Sequence, residues 1–125
     1  MTVVFSSVAE QDLSDLFSYI RDELQNPIAA HNIAAKILQR SQQLATFPEV
    51  GASLYSIDQR LDSYRYLLVD NYLVIYSITD EQVAVLRILY ARSDYVQLLK
   101  GWLPDLFSIK AKLQVSSSFW TGLIL

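Results

Sequence analysis

Three arginines punctuate a stretch of chain that otherwise favours apolar side chains. Arg65 interrupts one β-branched and aromatic run, Arg87 interrupts another, and Arg92 follows just past its end, with Tyr90 and Tyr95 close by in sequence. A guanidinium in such a strand is costly unless its charge has a partner, so a cluster of three calls for an explanation. Arginine offers a planar fork of donors that matches a carboxylate or phosphate bidentately, and the pattern points to an anion site.

The elements that must position these residues are legible around them. Residues 64–95 read YRYLLVDNYLVIYSITDEQVAVLRILYARSDY, with turn signals at Asp70-Asn71 and at Thr79 to Gln82, the pattern of an antiparallel meander. Its strands are apolar on both faces. Tyr72, Val74, Tyr76 and Ile78 alternate with Leu73 and Ile75, while Val83 and Val85 alternate with Ala84, Leu86 and Ile88. Tyr72 and Tyr76, in phase at period two, are expected to be packing residues.

Upstream, Thr2 to Phe5 is a short strand candidate. Ser7-Val8-Ala9-Glu10 has the form of a capping box and predicts a helix start. Leu13, Leu16, Phe17, Ile20 and Leu24 then give that helix one buried stripe, with Asp12, Asp15 and Asp22 on a solvated acidic face. Asn26-Pro27 ends this helix and begins a second, whose apolar face is Ala30, Ile33, Ala34, Ile37, Leu38 and Leu44. The two form an antiparallel hairpin that can cover one face of the sheet. The other face is expected to need a partner, the C-terminal tail, or both. Residues 53–62 read as an edge strand followed by a loop. The lone histidine, His31, has no ligand-spaced neighbour and reads as an ordinary surface residue.

Composition bounds the function. A chain of 125 residues and 14.3 kDa with 52% hydrophobic residues has room for one generous core. With no cysteine there is no disulfide, thiol nucleophile or thiolate metal site. No segment has the form of a secretion signal or of a membrane span, so a cytoplasmic location is expected and no membrane partner. Charge is uneven: residues 1–98 carry seven Lys/Arg against twelve Asp/Glu, a balance of −5, whereas 99–125 carry three against one. That argues against a broad nucleic-acid surface but leaves the strand arginines locally dominant. No glycine-rich phosphate loop, His–carboxylate cluster or Ser/His/Asp set is present, and no metal or organic cofactor is expected.

Over residues 2 to about 99 the chain resembles the RelE/ParE superfamily of toxins from bacterial type II toxin–antitoxin systems, a group that includes plasmid stabilisation proteins. The resemblance rests on the FSxxAxxDL opening (Phe5, Ser6, Ala9, Asp12, Leu13), Tyr19-Ile20, Asn26-Pro27 with Ala29-Ala30, LATFPEVG at 44–51, and the YRYLLVDNYLVIY and VLRILYARSDY strands, in that order. It implies an α+β fold: a short N-terminal strand and a two-helix antiparallel hairpin packed on a twisted, mainly antiparallel sheet. It also implies a cognate protein antitoxin, and homodimers or larger toxin–antitoxin assemblies are possible partners.

The superfamily splits in activity. Members resembling RelE are metal-independent endoribonucleases, or mRNA interferases, that cut message on the ribosome and inhibit growth. Members resembling ParE poison DNA gyrase and are not nucleases. On the first expectation, taken here as the main one, Arg65 and Arg87 clamp the phosphate, Arg92 assists the transition-state charge, and Tyr90 or Tyr95 transfers a proton or stacks a base. Departures from the family pattern stand at Tyr90, often histidine in relatives, at Arg92-Ser93-Asp94 in place of RRD, and at Gly51-Ala52 in place of GR. The alternatives are a gyrase inhibitor without catalysis, an inactive antitoxin-binding relic, and arginines that are structural, paired with Asp94 or an antitoxin carboxylate.

The toxin-like domain is expected to span 1–100, with 101–125 an atypical apolar extension. Leu103, Leu106, Phe107, Ile109 and Leu113 suit one short amphipathic helix before Ser116 to Ser118. That extension is either an addition without a role or a cover that docks on the open sheet face and restrains the toxin.

Overall fold

The computed structural model describes residues 1–91 and the backbone of Val115–Ser116. Arg92, Asp94, Tyr95 and the proposed tail helix lie outside the described residues.

β1 (Thr2–Phe5) leads into α1 (Ser7–Ser18), which runs on through a π turn at Tyr19–Glu23; α2 (Pro27–Gln42) returns antiparallel to it. β2 (Ala52–Ser53) precedes two single 3-10 turns, Leu54–Ser56 and Gln59–Leu61. The meander β3 (Tyr64–Val69), β4 (Tyr72–Ile78) and β5 (Gln82–Tyr90) follows, and β6 is Val115–Ser116. The sheet order is β2-β3-β4-β5-β1-β6. Among the described residues only the β1–β5 seam is parallel, with Thr2 opposite Gln82 and Phe5 opposite Val85.

The helix caps differ in one position from the sequence expectation. Ser6, not Ser7, caps α1: its Oγ accepts the Ala9 N–H at 2.9 Å and donates to Leu86 O at 2.9 Å. The serine nearer the strand wins because one hydroxyl there serves both the helix end and the neighbouring strand. Glu10 is then one residue too far along to complete a capping box, and its buried Oε1 has no hydrogen-bond partner. At α2, Asn26 Oδ1 accepts the Ala29 N–H at 3.1 Å and Pro27 takes the first helical position, as its fixed φ favours.

Two cores lie on opposite faces of the sheet. The helical hairpin supplies Ala9, Leu13, Ala34, Ile37 and Leu38 against Val3, Phe5, Leu67, Val74, Tyr76, Val85 and Ile88. On the other face Leu54 and Leu61, with Ile57 beside them, join Val4, Leu73, Ile75, Ala84, Leu86 and Leu89. Residues 54–61 are thus not a plain loop after an edge strand. Two short turns, capped by Ser53 Oγ on Tyr55 N–H and Asp58 Oδ1 on Arg60 N–H, tuck leucines under the sheet. Ile75, Ala84 and Leu86 on this face are fully buried, and Leu54 and Leu61 supply part of the cover that the sequence reading assigns to a partner or the C-terminal tail. The described piece of the extension, Val115–Ser116, pairs antiparallel with Val4 and Phe5 at the sheet edge.

A second correction concerns the stripe on α1. Leu13 and Ile20 are buried, yet Leu24 is 56% exposed. The π turn adds a residue to the helix repeat, so Leu24, whose N–H reaches Tyr19 O at 3.1 Å, leaves the buried line and joins the exposed Tyr19.

Candidate functional site

Beyond Phe5, β5 has no β1 neighbour to pair with, and the start of α1 takes over its outer edge. The Ser6 N–H donates to Val85 O at 2.9 Å, Ser6 Oγ to Leu86 O, and Asp12 Oδ2 accepts the Ile88 N–H at 2.9 Å. The same carboxylate takes both arms of Arg87, Nε at 2.8 Å and Nη2 at 3.0 Å. Both side chains are mostly buried, 16% and 14% exposed. Burial pushes the Asp12 carboxyl up, against the opposing pull of the Arg87 hydrogen bonds and the Ile88 amide.

Asp12 is therefore the residue that sequence reasoning missed, having been placed on a solvated face. The signal was available in its position, beside Leu13 and one turn from Ala9, on the flank of the buried stripe.

Arg65 sits in β3 opposite Tyr76, and Arg87 in β5 opposite Ile75, with β4 between them. Two strand spacings separate their backbones by about 10 Å. Their side chains are held on opposite flanks. Arg65 Nη1 donates to Gly51 O at 2.7 Å and to Glu49 O at 3.3 Å, whereas Arg87 is held on α1.

The turn at 48–51 is closed by Tyr76, which is fully buried: its O–H donates to Pro48 O at 2.7 Å and its oxygen accepts the Gly51 N–H at 2.9 Å. Burial pushes this phenol up. A β-carbon on Gly51 would lie 2.5 Å from the Tyr76 oxygen and 2.6 Å from Tyr66 O, so glycine is required there by space alone.

Tyr90 ends β5 and is 44% exposed, its ring 5.5 Å from that of Tyr72. The structure brings Tyr90 close to neither Arg65 nor its turn; it lines instead an open groove of about 560 Å³ with Asp12, Asp15, Leu16, Tyr19, Leu24 and Tyr72. Tyr72, expected as a packing residue, is half-buried in that wall. Among the described residues no group of three or more His, Cys, Asp or Glu is placed to hold a metal ion. His31 is exposed, its ring edge-on to Phe17. No described helix is long and apolar enough to cross a membrane.

A helical hairpin on one face of a mainly antiparallel sheet, with an N-terminal strand returning parallel to the last meander strand, is the RelE/ParE toxin architecture. Residues 3–95 match the profile of the ParE toxin of the type II toxin–antitoxin system parDE, and the chain belongs to that family. Among solved structures it is similar to one from the chromosomal ParDE toxin–antitoxin system of P. aeruginosa, with a TM-score of 0.63 and 18% identity, over 74% of this chain and 97% of that one. No curated protein matches it by sequence. Family membership implies an antitoxin as partner.

Proposed function

We propose that this chain is a toxin that acts by binding, in the manner of ParE toxins that inhibit DNA gyrase, rather than by cutting message. The observation that carries the proposal is the commitment of the two strand arginines. A phosphate clamp needs guanidinium groups that converge on one point and keep donors for the ligand. Arg87 gives two donors to Asp12 and Arg65 bonds the carbonyls of the 48–51 turn, on opposite flanks of the sheet. The acidic balance of residues 1–98 supports the same choice, since a nuclease among ribosomal phosphates gains from basic surface. The roles first expected of Arg65, Arg87, Tyr90, Arg92 and Tyr95 in RNA cleavage are accordingly not part of this proposal; Arg65 and Arg87 hold the scaffold.

The test is expression of the full chain in bacteria without an antitoxin, following message integrity and the DNA-damage response in the same cultures, with a supercoiling assay on purified gyrase. Damage signalling, intact message and inhibited supercoiling are expected. Rapid message cleavage that Arg65→Ala abolishes, in a variant whose melting curve shows it still folded, would overturn the proposal.

A further inference from the structure

The groove between α1 and the end of β5 gathers three of the exposed large side chains of this surface, Tyr19, Leu24 and Tyr90. It exists because of the π turn. Five residues apart on an α-helix, Tyr19 and Leu24 would stand about 140° from each other. The Leu24 N–H to Tyr19 O bond closes a five-residue repeat instead and brings both onto one wall. Tyr72 and Tyr90 form the facing wall. The phenol of Tyr72 is pushed up, by burial first and then by the phenols of Tyr90 and Tyr19.

The charges at this groove are of one sign. Asp12 and Asp15 line it. Asp12 is occupied with Arg87 and Ile88, while Asp15 accepts from the Gln11 amide through one oxygen, Oδ1, at 2.8 Å. Aromatic faces beside a carboxylate recognise a guanidinium or ammonium group, because the ring quadrupole and the anion both favour a cation. A comparable arrangement stands on the side of α1 that meets α2: Arg21 lies 5.5 Å over the Phe17 ring, which itself packs on His31, and bonds Asp22 at 2.8 Å. Residues 1–98 as a whole carry a balance of −5.

We propose that the groove receives a basic, aliphatic segment of a partner polypeptide, its Lys or Arg entering among Tyr19, Tyr72 and Tyr90 and meeting Asp15. Leu16 and Leu24 supply the apolar contact for the flanking aliphatic side chains. Charge complementarity selects this occupant over an acidic segment of equal apolarity. The inference holds whether or not gyrase is the target.

The experiment uses the full chain and two labelled probes, a short amphipathic peptide of leucine and lysine and its counterpart with every lysine replaced by glutamate. Fluorescence anisotropy should show binding of the basic peptide only, weakening with salt and losing about tenfold in affinity on Tyr90→Ala or Asp15→Lys. Both positions are exposed, and the melting curve of each variant checks that it folds. Equal binding of the two peptides, or binding of the basic one unaffected by either substitution, would overturn the proposal. So would binding of neither peptide by a chain that sediments as a self-associated species dispersed by Tyr90→Ala, since the occupant would then be a second copy.

Discussion

The carboxylate of Asp12 stands where a neighbouring strand would otherwise be: it accepts the Ile88 N–H at 2.9 Å and grips Arg87 through two bonds, so one helix side chain closes the edge of β5. Removing either partner leaves a charge in a place that is mostly shielded from water. Arg87→Ala and Asp12→Ala should each lower unfolding free energy by about 2–4 kcal/mol. The double variant should cost clearly less than the sum, as expected of one interaction counted twice. Urea denaturation of the three variants measures both statements.

The 48–51 turn depends on a buried phenol. Tyr76→Phe removes the partner of the Gly51 N–H and of Pro48 O together, and a loss of about 1–3 kcal/mol is expected. Gly51→Ala should be at least as damaging, because its β-carbon meets the Tyr66 carbonyl, a backbone atom that cannot swing aside. Thermal melts of both variants check the order.

The pH dependence of stability carries the mark of Asp12. Its folded-state carboxyl is raised above the ordinary value of 3.8, so the folded chain holds more protons than the unfolded one just above that pH. Stability from this group is fully present below 3.8 and is lost as pH rises through the higher folded value. Asp12→Asn cannot titrate. The stability difference, wild type minus Asp12→Asn, should therefore fall as pH rises from that point and then level off, which paired denaturation curves across mildly acidic pH will show.

Not every ion pair matters. Lys36 Nζ lies 3.0 Å and 3.2 Å from the two oxygens of Asp70, but both side chains are well exposed. Lys36→Ala should change stability by less than about 0.5 kcal/mol, and a larger loss in the same melts would assign that pair a role its exposure denies.

The meander, the helical hairpin and the turn at Asp70-Asn71 were legible in the sequence because alternation and helical spacing report which side of an element is buried. Asp70 takes the left-handed conformation such a two-residue turn asks of it, at φ 52°. What could not be read was tertiary. The fork of Arg87 pointed to an anion, correctly as chemistry, but the anion among the described residues is Asp12, 75 residues away in sequence. Leu24 followed the helical spacing and still left the core, because no spacing rule anticipates a π turn. Leu54 and Leu61 lie in a segment with neither period, so their burial under the sheet came without a pattern to announce it.

The parallel seam between β1 and β5 joins Thr2 to Gln82, and nothing nearer in sequence can stand in for that pairing. Hairpins between β3, β4 and β5 close over short loops, whereas β1 must wait for almost the whole domain to exist before it gains a neighbour. During synthesis the N-terminal TVVF segment therefore stays an unpaired apolar strand until β5 has emerged. The first residues made thus meet β5 only after the meander has been made. A toxin built in this order has no finished scaffold to act with until β5 has been made.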